Sequence, residues 1–226
     1  MTSGGSAGRG TRLGREVVVE RALALADADG LDALTIRRLA DELGVTPMAL
    51  YWHFSNKDEL IDALAEHLFA QVALPEVRAG ADWDTAVREL QVAFVAALRS
   101  HPAVAPLARD RVLASRPGLV LAERSLGLLR EAGFTAEQSA ELGGYLLGAV
   151  VTLVTGEPGR AGPDDEAVRA RRAALLTLSP REFPNIVEAA EPLSYCANDD
   201  AYYARGVELL VEGLRGLAGR GQPERA

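Results

Sequence analysis

TIRRLADELGVTPMALYWHFSNKDEL, residues 35–60, is the stretch on which the fold turns. Thr35 is placed to cap a helix on which Ile36, Leu39, Ala40 and Leu43 follow the i, i+3, i+4, i+7 spacing of a buried stripe, and Gly44 ends it. Thr46 is placed to cap a short third helix running to Phe54, with Pro47 at the first helical position, where a missing N–H costs nothing. Ser55 or Asn56 then caps a helix from Lys57 to about Ala73, with Asp58 and Glu59 in its first turn at the positive end of the helix dipole. Upstream, a helix from about Leu13 to Ala28 turns Val18, Ala22, Leu25 and Ala26 inward and closes at Gly30. Helix, tight glycine turn and short helix at this spacing predict a helix-turn-helix, whose second helix lies in the major groove of DNA. The chemistry agrees. Tyr51 and His53 offer hydrogen-bond donors, Lys57 supplies a cation for phosphate, and no acid occurs between Gly44 and Lys57.

The rest of the chain sets the context. With 226 residues, 48% hydrophobic and 25% charged, it has the composition of an ordinary globular protein of one large domain or two smaller ones. The longest uncharged stretch, Leu142–Gly156, is interrupted by glycines and is shorter than the roughly 20 residues that span a bilayer, so no membrane segment is predicted. The N-terminus lacks the apolar core of a signal peptide, and the single cysteine, Cys196, has no internal partner; both point to the cytoplasm. A formal net charge of −8 argues against nonspecific attraction to nucleic acid. Its distribution matters more: Arg9, Arg12 and Arg15 form a basic arm without acids ahead of an acidic body.

Apolar residues recur at intervals of three and four throughout, and no segment sustains the alternation of a half-buried strand, so an all-α protein is predicted. Residues Trp83–Ser100, Gly118–Ala132, Thr135–Thr155 and Asp199–Leu217 read as long helices and Glu166–Leu176 as a shorter one, with a loop at 156–165. In the body, Gly144 and Gly148 lie four apart and Gly206 and Gly213 seven apart, although an interior glycine costs roughly 1 kcal/mol relative to alanine. Close approach of backbones would account for them. Beside these glycines, Tyr203, Val207, Leu210, Leu214 and Leu217 make a wide apolar stripe. The expectation is a homodimer through a four-helix bundle of 135–155 and 199–217, with Gly144, Gly148, Val151, Tyr203, Val207, Leu210 and Leu214 at the interface; the alternative is a stripe that packs within its own subunit.

An enzyme is the rival class. His53, His67 and His101 show no metal-ligand spacing, Cys196 has no second cysteine nearby, and no G-x-S-x-G, Walker loop or dinucleotide fingerprint occurs, so no catalytic residue, cofactor or metal is assigned. A helical interaction protein without DNA affinity is the other alternative. It leaves the acid-free segment 45–56 without purpose.

The segment 35–60, with TIRRLA, LGV, LYWHF and NKDEL at matching spacings, closely resembles the DNA-binding domain of the TetR family of transcriptional repressors. RPGLVLAERSLGLLREAGF, residues 116–134, and YYARGVELLVEGL, residues 202–214, resemble helices of its tetracycline-repressor branch. The resemblance implies a flexible arm at 1–12, a helix-turn-helix domain at 13–56, a linking helix at 57–73 and a ligand-binding, dimerising body at 75–220. It also implies a regulator that binds a palindromic operator as a homodimer and is released by a small molecule.

Family positions assign base contact to Arg37, the residue type best suited to guanine, and place Pro47, Met48 and Ala49 against bases through apolar contact. Thr35, Thr46, Tyr51, His53 and Lys57 are assigned to the DNA contact as well, chiefly to phosphates; Trp52 either packs on the sugar backbone or covers the domain. In the body, Phe94 and Arg116 coincide with ligand-facing residue types, with His67 and Tyr145 as further pocket candidates, and Glu157 falls near an acidic position that helps hold a metal through water. Arg116 either orients a ligand's polar handle or caps a turn. The metal-binding histidine of the branch is Val112 here and a second drug-contacting histidine is Ala73, so magnesium–tetracycline is disfavoured and a mainly apolar effector is expected.

Overall fold

The structure, a computed structural model, describes residues 14–75, 82–156, 165–195 and 199–219. The basic arm 1–12, Glu157 and Cys196 lie outside the described residues. Twelve α-helices follow in order among the described residues: α1 Arg15–Asp29, α2 Ile36–Leu43, α3 Pro47–Tyr51, α4 Lys57–Ala70, α5 Trp83–Ser100, α6 Leu107–Arg111, α7 Arg116–Glu131, α8 Ala136–Thr155, α9 Glu166–Leu176, α10 Pro184–Glu188, α11 Ala190–Ser194 and α12 Asp199–Ala218. A single 3-10 turn, Leu31–Ala33, joins α1 to α2. Among the described residues there is no strand, and no helix is long and apolar enough to cross a membrane.

Local chemistry sets the boundaries of the head, α1 to α3. Thr35 Oγ1 accepts the Arg38 N–H at 3.2 Å to open α2, and Gly44, at φ 65°, supplies the left-handed residue that closes it. Thr46 stands at the N-cap of α3 with extended backbone, but its hydroxyl makes no capping bond; its carbonyl takes the Ala49 N–H instead. The third helix is also shorter than its sequence suggests. It stops at Tyr51 because the N–H groups of His53 and Phe54 both fold back on the Leu50 carbonyl, and Phe54 then enters the core. Asn56 Oδ1 caps α4 by accepting the Glu59 N–H at 2.8 Å, while the Glu59 carboxylate accepts the Ser55 N–H at 2.7 Å. That bond from Ser55 holds the Glu59 carboxyl below its ordinary range.

Buried Val18, Leu23, Leu39, Leu50 and Phe54 make the head's core, and Leu60, Leu64 and Leu68 carry apolar burial along α4 toward the body. Each such side chain contributes about 1.5–3 kcal/mol when fully buried. Helix α4 ends at Ala70, short of Ala73, where the Gln71 N–H bonds back to the carbonyls of His67 and Leu68. In the body, α5 packs on α7, α8 and α12, and α7 packs on α8 and α4. A Cβ at Gly118 would stand 2.0 Å from the Val112 carbonyl oxygen, so only glycine lets the start of α7 press against the residues that follow α6. Helices α9, α10 and α11 pack chiefly on one another, with Arg172 3.6 Å from Glu191.

Candidate functional site

Most of the residues expected to meet DNA are exposed. Arg37 lies exposed in the first turn of α2, and Thr46, Pro47, Met48, Tyr51 and Trp52 are exposed on and beside α3. Met48 is 68% and Trp52 85% exposed, unusual for such large apolar groups on a folded surface. Ala49 is half-buried, and so is His53, whose ring lies 6.5 Å from that of Phe54. Lys57 is exposed at the start of α4. Thr35 is exposed, with its hydroxyl engaged as the cap of α2. Among the described residues, neither Arg37 nor Lys57 has a carboxylate partner, whereas neighbouring Arg38 is tied to Asp29 and Arg21 to Glu42. The head and the start of α4 therefore offer two unpaired cations and, on and beside α3, exposed large apolar side chains.

Between α5, α6, α7 and α8 lies a cavity of about 300 Å³. Leu90, Phe94, Leu121 and Leu147 supply apolar walls, Gly143 and Gly144 a floor of bare backbone, and Gln91 and Arg109 the principal polar groups. Helix α6 forms one wall and touches the linking helix as well, since Arg111 pairs with Asp62 of α4. His101 Nδ1 of the body lies 2.7 Å from Asp27 of the head, and Arg15 of the head sits 3.8 Å from Glu66 of the linking helix, with its guanidinium 4.9 Å from the centre of the Phe54 ring.

The structure brings together only part of the ligand set expected from sequence. Phe94 lines the cavity, and so does Val112, which stands where the resemblance places a metal-binding histidine. Arg116 instead borders a second, shallower hollow between α4 and α7, with Glu66, Phe69 and Val120; Ser115 Oγ, accepting the Gly118 N–H at 3.2 Å, is the cap of that turn. His67 lies half-buried in the last turn of α4 and lines neither hollow. Tyr145 is 68% exposed on the outside of α8. Helical geometry separates it from the cavity, which Ala140, Gly143 and Leu147 line from the opposite side of α8.

The stripe read as an interface also sits differently. Tyr203, Val207 and Leu214 are buried in the chain's own core, as is Val151 of α8, and Leu210 is half-buried against the same core. The Tyr203 ring lies under the Arg99 guanidinium at 4.3 Å and edge-on to Tyr202. An amphipathic helix turns its widest apolar stripe to the nearest core, and here that core is α5 and α8 of the same chain. Gly144 belongs to the cavity floor, and a Cβ at Gly148 would stand 3.7 Å from Arg109 Nη1. Outward, α12 presents Leu209, Gly213 and Leu217.

Sequence reading missed Gln91 and Arg109. Gln91 left a signal, since it interrupts the stripe of Val87, Leu90, Phe94 and Leu98 on α5 with a carboxamide at a core-facing position. Arg109 left none, because α6 has only five residues and shows no helical repeat.

A helix-turn-helix head carried on a helical body that encloses an apolar cavity defines a class: transcriptional regulators that answer to a ligand. Residues 18–64 match bacterial regulatory proteins of the tetR family, and residues 74–217 match the tetracyclin repressor-like C-terminal domain. The chain belongs to the tetR family and is a ligand-responsive transcriptional regulator. It is 31% identical to an HTH-type transcriptional regulator of Saccharopolyspora erythraea over 92% of this chain and 86% of that protein. It is 32% identical to the class C tetracycline repressor protein of Escherichia coli over 90% of this chain and 91% of the repressor. Among solved structures it resembles ActR of Streptomyces coelicolor in complex with actinorhodin, with TM-score 0.75 and 33% identity over 93% of this chain and 99% of that one.

Proposed function

We propose that the protein is a repressor that works as a homodimer in the cytoplasm: two heads engage the half-sites of a palindromic operator, and a small, mainly apolar effector in the α5–α8 cavity releases it. The observation that carries this reading is the position of α6, which walls the cavity and holds the linking helix through Arg111 and Asp62. A ligand that displaces α6 acts on α4, and through α4 on the spacing of the heads. Linkage makes the effect reciprocal, so operator DNA weakens effector binding by the same factor. At the DNA, Arg37 reads a base, Met48 and Ala49 pack on thymine methyls beside Pro47, and Thr35, Thr46, Tyr51, His53 and Lys57 fix the register on phosphates, with Trp52 against the sugar backbone. The rival readings, enzyme or interaction bundle, give the exposed acid-free face no use.

Magnesium–tetracycline is disfavoured as the effector, because Val112 and Ala73, which stand where the resemblance places two histidines of the branch, offer no ligand to a metal. Calorimetry with tetracycline and magnesium is expected to show no metal-dependent binding. The repressor reading is tested by a gel shift with the intergenic DNA upstream of the protein's own gene, repeated with small molecules that mass spectrometry finds retained by the purified protein. Retardation that the retained molecule reverses supports it. Absence of any shift, or a shift that no retained molecule alters, counts against it.

A further inference from the structure

Resting on the reading of the α5–α8 cavity as the effector site, we infer that its ligand is an acid on an apolar body, with a carboxylate for Arg109 and a hydroxyl for Gln91. Gln91 is 4% exposed, and its Oε1 is buried without a hydrogen-bond partner among the described residues. It sits on the core-facing stripe of α5 and lines the cavity. An unsatisfied buried carboxamide weakens the fold, so a helix that had only to pack would carry leucine there. A ligand hydroxyl answers it whichever end of the carboxamide faces the cavity, because a hydroxyl both donates and accepts.

Arg109 provides the second, independent observation. Its guanidinium lies against α8 at Gly148 and lines the same cavity. It has no ion-pair partner among the described residues, although Arg88, Arg111 and Arg215 of the body are each paired with a carboxylate. An unpaired guanidinium beside an apolar wall is a fork for two carboxylate oxygens. The volume of about 300 Å³ is at the small end of ligand pockets, and the bare floor of Gly143 and Gly144 suits a flat ring system of two or three rings.

The test uses four probes on the full-length protein by calorimetry: 6-hydroxy-2-naphthoate, its methyl ester, 2-naphthoate and 2-naphthol. The hydroxy acid is expected to bind at least about tenfold more tightly than its ester or 2-naphthoate, as loss of a charge-assisted or buried hydrogen bond implies. Arg109→Gln removes the preference for acid over ester and leaves ester affinity in place. Gln91→Leu removes the preference for hydroxyl and raises the Tm of the ligand-free protein, because the orphan oxygen is gone. Gly144→Leu fills the cavity, where a Cβ meets nothing within 4 Å, and abolishes binding of all four. Equal binding of acid and ester to wild type, or an acid preference that survives Arg109→Gln, overturns the inference while the cavity keeps its role. Failure of every probe, or binding untouched by Gly144→Leu, overturns the reading of the cavity as well.

Discussion

Arg37 of the head and Lys57 at the start of α4 are the two cations there whose charge is not engaged by a carboxylate among the described residues, and they differ in where they stand. Arg37 stands in the first turn of α2, while Lys57 opens α4. Arg37→Ala is expected to cost about 1–3 kcal/mol of operator affinity and relax the preference at one symmetric base position. Lys57→Ala is expected to weaken all sequences alike and reduce the slope of log K against log salt by about one per subunit. Fluorescence anisotropy over a panel of operator variants and salt concentrations separates the two, and an unchanged base preference in the Arg37 variant would end the direct-readout assignment. These positions were legible in sequence because everything that places them is local: a cap at Thr35, a glycine at Gly44 and a proline at Pro47 act within a few residues. The cavity was not legible in the same way. Phe94 could be found through resemblance, but Arg109 lines the cavity through the packing of α6 on α8, a tertiary contact with no local signature.

At the level of whole elements, capping chemistry made the long helices readable almost to the residue. Thr135 and Gln138 form a reciprocal capping box at the start of α8, and α5 begins at Trp83 as its periodicity predicts. The five-residue helices α6, α10 and α11 escaped, being too short to display a repeat. What holds long helices to one another was also hidden, and the junction of α5 with α12 is the clearest case. Asp84 receives Arg215 Nε at 2.5 Å across 131 residues of sequence, and Arg215 also pairs with Glu212 on its own helix. Burial pushes the Asp84 carboxyl upward, but the Arg215 hydrogen bond, the Thr85 N–H and the guanidinium charge together hold it below its ordinary value. The sign follows. A depressed folded value stabilises the protein above the unfolded carboxylate pKa of roughly 3.9, and that contribution is lost as pH falls through the lower folded value. Asp84→Asn is thus expected to lower Tm at neutral pH, with the gap to wild type closing below about pH 4. A gap independent of pH in calorimetric scans would mean that the ion pair does not hold α12. For the head, Asn56→Ala is expected to cost about 1 kcal/mol through loss of the α4 cap, read as a lower denaturant midpoint at unchanged m.

For the molecule as a whole, the proposed homodimer requires a surface that pairs two copies. The apolar stripe of α12 is taken up inside the chain, since Tyr203, Val207 and Leu214 are already buried, so they leave little surface for a partner. The face left outward carries Leu209, 74% exposed, together with Gly213, Leu217 and Arg205, and the outward face of α8 carries Tyr145 and Thr152. A Cβ at Gly213 would meet nothing within 4 Å in the single chain, so its lack of a side chain answers no contact inside the subunit. A second backbone crossing there gives it a reason. The proposed dimer therefore keeps the two helices that sequence indicates and rotates the contact by about half a turn, from the Val207 face to the Leu209 face. A stable pair needs roughly 1,200–2,000 Å² of buried surface in total, which two long helices per subunit can supply if most of their outward faces take part. Leu209→Glu is accordingly expected to yield monomers by sedimentation and to lose operator binding, because one half-site holds too weakly alone. Leu214→Glu is expected instead to unfold the body, since it places a charge in the chain's own core. Monomers that stay folded in the first variant, set against loss of helical signal in the second, locate the dimer on the outward face. A Leu209→Glu protein that remains dimeric and binds its palindrome tightly would place the interface elsewhere.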